Sequence, residues 1–451
     1  MWRGARSELS SKFAFRPGMN TSPLEAAVRA RDERVRVLFI NDTARNGGPG
    51  RSLHAILRHL DPALVHRTVL LPRPGAVSEL LGAGGAADEL LFEPAWVENV
   101  VEPWGRSIER ADFAAPWVLR WIRAAGNVGR MAAAIARTAA RVRRGGFDLI
   151  YCNGTTADFV GGLVAQVTGV PALWHVRYTS LPAAAAPLHR WLARSGAVRR
   201  IVCVSSAAAA VVSHAPGKVA VVNNGVDTEA FAPGRVSPRL RAELGLPEDA
   251  VIFGSHGRVL RRKGYVELVR AACVALGRMT RAERARCHFV VVGDTPQDFQ
   301  PDHVEECRAL AARLGVAGSV SFLGFRADVR PYLCDWDVSV VPSVYPDPLP
   351  RAVIESMALA KPVIAFDVGG VREMLSAAEG MLLSRPPDSA ELAAAFLRYM
   401  RDPGLRARQG QAARQRAVRQ FGAEAHAARI EHEILAAVGR AAPPPDTAVA
   451  A

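Results

Sequence analysis

Between residue 35 and about residue 385 the chain alternates short β-branched runs with longer stretches whose apolar residues recur at helical spacing. Few folds accept that alternation, because a strand, a crossover helix and a second strand running the same way is the unit of a parallel sheet. Six runs come first, VRVLFI (35–40), RTVLL (67–71), DLIYC (148–152), PALWHV (171–176), RIVCVS (200–205) and KVAVV (218–222). A second six follow, AVIFGSHG (250–257), CHFVVVG (287–293), SVSFLG (319–324), WDVSVVPS (336–343), PVIAFD (362–367) and GMLLS (380–384). Between the sets, NNGVDTEAFAPGRVSPRL (223–240) carries neither period and reads as an interdomain connection.

The expected fold class is therefore α/β, with two Rossmann-like doubly wound domains facing a cleft, and 451 residues are enough for both cores. The expected division is a basic, disordered leader at 1–33, a first domain at 34–225, a second at 226–405, helices at 406–438 and a disordered Pro- and Ala-rich tail at 439–451. The leader has no apolar core of a secretory signal, and Met19 is an alternative start. No uncharged run is long enough to span a bilayer. Six cysteines stand singly, without a CxxC pair, and read as small core residues of a cytoplasmic protein.

Open parallel sheets bind ligands beyond the carboxyl ends of their strands, and three motifs sit there. After the first strand, NGGPGRS offers Gly47, Gly48 and Gly50 at the start of a helix. That loop is either an ordinary turn or an anion cradle at a helix N-terminus. In SHGRVLRRKG, Arg258 and Lys263 stand five apart on a loop closed by Gly264; they are a solvated basic turn or a pair that grips a diphosphate. In YPDPLPRAVIESMA the prolines stop the strand, Asp347 precedes a helix starting at about Leu349 to Arg351, and Glu355 lies inside it. Two acids so placed are a helix cap and a surface residue, or a pair facing the cleft.

GRVLRRKG, VVGDTP, VSFLGFRADVRPYLCDWDVSVVPS and DPLPRAVIESMALAKPVIAFDVGGVREML together resemble the retaining GT-B glycosyltransferases of family 4, also called glycosyl transferases group 1. The resemblance covers residues 35–438 and is strongest over 250–385. It implies an acceptor-side first domain and a nucleotide-sugar-binding second domain. The family's E-x7-E motif becomes Asp347 to Glu355 here, and its Pro-Phe-Gly turn becomes Pro348, Leu349 and Pro350, so fewer backbone amides are available.

By that resemblance Glu355 binds the nucleotide ribose, and Asp347 with the backbone at Leu349 addresses the donor sugar. Arg258 and Lys263 take the diphosphate, with Gly48 and Asp294 also on the donor and backbone near Arg326 on the base. Arg258, Lys263, Glu355 and His175 are the expected catalytic set, His175 being otherwise a residue of the core. Asn224 and Gly225 are expected in the hinge. No metal or other cofactor is expected, since the two cations would fill a metal's role.

The implied activity is transfer of a sugar from a nucleoside-diphosphate sugar to a hydroxyl, with retention, onto a glycolipid or saccharide intermediate of cell-envelope polysaccharide. A nucleotide-sugar epimerase on the same architecture is the alternative, and no lysine stands out for the pyridoxal phosphate of a phosphorylase. A net charge of +14 also admits nucleic acid as a partner, but the chain carries no nucleic-acid-binding motif.

Residues 117–144 have Trp117, Trp121, Val128, Met131, Ile135 and Val142 on one helical face and Arg120, Arg123, Arg130, Arg137, Arg141 and Arg144 on the other. Either the apolar stripe packs on the sheet under a solvated Arg face, or that face meets anionic lipid or a phosphate-bearing acceptor at the inner face of the cell membrane.

Overall fold

Alternate residues of the first strand feed two different cores: Val35, Val37 and Phe39 face one, Leu38 and Ile40 the other. That two-sided burial is what a central parallel strand requires. A computed structural model of the chain describes residues 34–45, 47–98, 117–296, 299, 301–385 and 387–440. The expected leader at 1–33, and residues 441–451 of the expected tail, lie outside the described residues.

Strands β1 (Val35–Asn41), β2 (Val65–Leu71), β3 (Glu89–Phe92), β4 (Leu149–Asn153), β5 (Ala172–Val176), β6 (Val198–Cys203) and β7 (Val219–Val221) form one parallel sheet, in the order β3-β2-β1-β4-β5-β6-β7. The other, β10-β9-β8-β11-β12-β13, is built from β8 (Val251–His256), β9 (Cys287–Val292), β10 (Val320–Phe322), β11 (Val338–Val341), β12 (Val363–Phe366) and β13 (Gly380–Leu383). The expected two-domain α/β architecture is present. In each sheet the strand order reverses beside the strand that comes first in the sequence, between β1 and β4 and between β8 and β11, so each sheet opens a crevice at its carboxyl edge. Sequence reading omitted β3, an edge strand whose residues are only half covered and carry no strong apolar run.

The helices that matter below are α1 (Gly48–His59), α2 (Ala76–Ala83), α3 (Trp117–Gly145), α4 (Thr155–Thr168), α5 (Ala186–Arg194), α6 (Tyr265–Gly277), α7 (Arg351–Ala358), α8 (Pro403–Gln420) and α9 (Ala423–Ala437). Helices α1 and α2 cover one face of the first sheet, and α3, α4 and α5 the other. Helix α8 lies on α7, but α9 returns to the first sheet and packs on α1. The chain thus crosses between sheets twice. The crossings are paired, Val226 N–H donating to Phe421 O at 2.8 Å and Ala423 N–H to Val226 O at 2.9 Å. Gly225 permits this: a Cβ there would stand 2.8 Å from His426 Cβ and 2.9 Å from Ala423 Cα.

Helix α3 differs from its expected two faces. Met131, Ala134, Ala139 and Val142 are buried, whereas Val128, assigned to the apolar stripe, is 58% exposed; the side chains of residues 117–121 lie outside the described set. Nor is the arginine face merely solvated. Glu93, fully buried just after β3, accepts from Arg137 Nη2 at 2.8 Å and Arg141 Nη1 at 2.7 Å. Two guanidiniums on one buried carboxylate clamp α3 to the sheet edge. Glu93→Ala should therefore lower unfolding free energy by about 3 kcal/mol in urea titrations, and a change under about 0.5 kcal/mol would remove the clamp from the account.

Candidate functional site

The loop after β8 sets the second-domain wall. Gly264 sits at φ +75°, and a Cβ there would fall 1.8 Å from Pro342 O, so only glycine lets this loop lie against the end of β11. That approach puts Lys263 Nζ 2.5 Å from Asp347 Oδ2. Asp347 is held from behind as well: Gly370 N–H donates to Asp347 O at 2.9 Å, and Gly369, at φ +62°, has no room for a side chain against the same carbonyl. From the first domain, Thr179 Oγ1 donates to Pro346 O at 2.7 Å.

Glu355, on α7, is buried with both oxygens engaged. His256 Nε2 donates to Oε2 at 2.9 Å, and Arg351 Nε donates to Oε1 at 3.1 Å. Burial alone would raise its pKa, but Arg351 and then His256 outweigh it and hold the carboxyl down at about 2. It is a fixed anion. Arg351 also reaches across the cleft, Nη1 donating to Gly225 O at 3.0 Å and to Ser52 Oγ at 3.4 Å.

On the first-domain wall, α1 starts at Gly48 with Pro49 in its first turn and no side-chain cap, which leaves its leading amides toward the cleft. Beside it stands Arg177, just past β5. Its Nε donates to Asn153 Oδ1 at 2.6 Å, Nη1 to Asn224 Oδ1 at 2.7 Å and Nη2 to His175 Nδ1 at 3.3 Å. Every one of these partners is neutral. Burial lowers the Arg177 pKa to about 10, which still leaves it charged at neutral pH.

These walls enclose a cleft of about 1100 Å³ lined by nine Lys or Arg and three Asp or Glu side chains. Nine expected site residues line it: Gly48, Asn224, Arg258, Lys263, Asp294, Arg326, Asp347, Leu349 and Glu355. The Arg326 side chain turns outward to Glu243 at 2.7 Å, and Leu349 contributes its carbonyl, which accepts from Asn224 Nδ2 at 3.3 Å while its side chain is buried.

His175 is a correction. It was expected in the cleft but is fully buried behind Arg177, Nδ1 facing the Tyr151 hydroxyl and Nε2 without a hydrogen-bond partner. Burial, with Arg177 and His426 nearby, holds its pKa well below the usual imidazole value, so the ring is neutral. His175 and Arg177 share one side of the chain, but His175 lies within β5, where the sheet covers it, and Arg177 lies one residue beyond the strand end, where it lines the cleft. Sequence reading missed Arg177, Arg351, His256 and Ser52. Arg351 was legible as the i−4 neighbour of Glu355; His256 carried no signal.

Among the described residues no group of three or more His, Cys, Asp or Glu is placed to hold a metal ion, and no helix is long and apolar enough to cross a membrane.

Comparison with known proteins adds a family. Residues 236–416 match the family described as Glycosyl transferases group 1, and residues 46–230 match Glycosyltransferase Family 4. The D-inositol 3-phosphate glycosyltransferase of Streptomyces avermitilis is 33% identical over 60% of this chain and 61% of its own length. Its counterpart in Streptomyces coelicolor is 32% identical over 66% of this chain and 70% of its own. The chain thus spans about three fifths of the first of these relatives. Among solved structures, Anabaena HepE in complex with UDP-glucose superposes with a TM-score of 0.71 at 22% identity, covering 89% of this chain and all of that one. A Rickettsia africae glycosyltransferase does so at 0.68 and 18%, covering 89% and 99%. At those identities the likeness is one of fold, the two-domain GT-B arrangement.

Proposed function

The chain belongs to the group 1 glycosyl transferases, and from that membership we propose that it transfers a sugar, with retention, from a nucleoside-diphosphate sugar to an acceptor hydroxyl. The observation that carries this reading is the charge of the cleft, nine cations against three acids where the carboxyl edges of two parallel sheets meet. In this reading Arg258 and Lys263 receive the diphosphate and neutralise the charge that grows on it as the glycosidic bond breaks, without a metal. Glu355, ionised and fixed, accepts hydrogen bonds from the ribose, and Asp347 does so from the sugar. The departing phosphate, on the face where the acceptor enters, helps take the acceptor's proton.

Arg177 sets the acceptor class. Arg177, half-buried in the cleft wall, has neutral hydrogen-bond partners while Asp42 and Asp158 act on it through charge alone, so an anionic group on the acceptor would be its direct ionic partner. The acceptor is then a saccharide or glycolipid intermediate bearing a phosphate or carboxylate. The relatives' names specify a phosphorylated cyclitol for those proteins, which supports the same chemistry here. Arg177→Ala should raise the acceptor KM by about 10- to 100-fold while donor KM stays within about twofold; equal effects on both would assign Arg177 to the hinge alone.

A thermal-shift panel of nucleotide sugars tests the whole reading. The matching donor at about 100 times its Kd should add about 2.7 kcal/mol of stability. No response to any nucleoside-diphosphate sugar, or conversion of a donor to its epimer without acceptor, would overturn it.

A further inference from the structure

Helices α3, α4 and α5 lie on one face of the first sheet, α3 packing on α4 and α4 on α5. Half of α4 is buried, so α3 and α5, with the end of α4, form the outer surface. That surface holds an unusual share of exposed apolar side chains. Ten large hydrophobic residues are exposed among the described residues, and five of them are here: Ile122 (62%) and Val128 (58%) on α3, Val167 (54%) at the end of α4, Leu188 (41%) and Trp191 (55%) on α5.

The charge around them is one-sided. From residue 113 to residue 226 the sequence has thirteen Lys or Arg and two Asp. Of the two acids, Asp158 is fully buried and Asp148 accepts from the Arg36 backbone N–H at 2.8 Å. Arg137 and Arg141 are spent on Glu93, so the stripe of arginines on α3 is not by itself the feature. Those that remain on the surface, Arg123, Arg130, Arg143 and Arg144 on α3 and Arg190 and Arg194 on α5, share these two helices with the exposed apolar residues. On α5, Leu188 and Trp191 are three apart and point outward, while His189, Leu192 and Ala193 fill the core beneath.

We propose that this α3–α5 face docks on an anionic lipid surface. An exposed tryptophan and aliphatic side chains on the same helices as exposed arginines, with no acid on α3 or α5 themselves, match the boundary between headgroups and acyl chains: the apolar groups enter it and the arginines meet phosphate. A nucleic acid would use the charge but not the Leu188–Trp191 pair. The inference stands apart from the chemistry assigned to the cleft, because none of these side chains lines it.

The full-length protein should co-sediment with phosphatidylcholine vesicles containing about 30% phosphatidylglycerol and not with phosphatidylcholine alone, and raising salt to about 0.5 M should release it. Leu188→Ser with Trp191→Ser should weaken that binding about tenfold, and Arg190→Gln with Arg194→Gln by a similar factor, with thermal midpoints kept because all four side chains are exposed. Trp191 emission should shift to the blue on anionic vesicles. The proposal falls if the protein does not partition onto anionic vesicles. It falls equally if the serine pair binds as the parent does, if duplex DNA of equal charge binds with the same affinity and the same insensitivity to that pair, or if the face proves to be occupied by a second copy of the chain in sedimentation.

Discussion

Lys263→Ala is expected to lower kcat for sugar transfer by about 100-fold or more, with a smaller effect on donor KM. The reason lies in how the side chain is held. Gly264 is forced into a left-handed turn against Pro342 O, and that turn delivers Lys263 to the end of β11, where it pairs with Asp347 at 2.5 Å. The ammonium balances Asp347, and in the proposed reaction it would face the donor's diphosphate, whose charge increases most in the transition state. A cation preorganised for charge that appears only then affects the rate more than ground-state binding. Its side chain is about a quarter exposed, so removing it leaves Asp347 able to reach water, and the stability cost should stay below about 1 kcal/mol. Initial rates at saturating acceptor, compared with thermal midpoints, separate the two effects. Activity within a few-fold of the parent would remove Lys263 from the reacting centre.

The residues that made this site legible in the sequence were those whose position follows from local chemistry. Gly264, the prolines at 346, 348 and 350, and the strand runs before them each constrain backbone directly, so Lys263, Asp347 and Glu355 could be placed on the correct wall. Long-range packing decided the rest. His175 and Arg177 are two residues apart in one motif, and nothing local says which of them the sheet buries; Tyr151 on the neighbouring strand β4 and Asn224 from the hinge decide it. The α3 pattern misled for a related reason. A helical wheel gives an apolar stripe and an Arg stripe, but among the described residues of the apolar stripe Val128 is exposed while Met131 and Val142 are buried, and Glu93, just after a strand that the sequence did not reveal, draws in Arg137 and Arg141. The return of α9 to the first sheet was likewise invisible, since its apolar positions would serve against either domain.

Arg351 ties these walls together. It holds Glu355 on its own helix and, through the same guanidinium, reaches Gly225 O and Ser52 on the other side of the cleft. The anion that the proposed donor ribose would meet is therefore oriented by a side chain that also touches the paired chain crossings of the hinge. Glu355 cannot be moved without disturbing both.

Glu355→Gln should accordingly show two effects, a loss of transfer and a loss of pH-dependent stability. Transfer should fall by about 100-fold, because an uncharged amide both weakens the ribose contact and leaves Arg351 and His256 facing a neutral group. For stability the sign follows from the direction of the shift. Held at about 2 in the folded chain against a reference of 4.5, the carboxyl stabilises the fold fully above about pH 4.5, and that contribution is lost as pH falls through 2. The difference corresponds to about 3 kcal/mol for this buried group. The parent should therefore lose stability steeply between about pH 4.5 and pH 2, and Glu355→Gln should be less stable at neutral pH with a flatter acid limb. Urea midpoints at pH 7, 4.5 and 3 measure this directly. The same pKa means that Glu355 stays ionised wherever the enzyme would be assayed, so no acidic limb between about pH 5 and 8 should disappear in the variant. An acidic limb in the parent that vanishes with Glu355→Gln would instead make this residue the proton donor or acceptor of the reaction, and the assignment of a fixed anion would have to be given up.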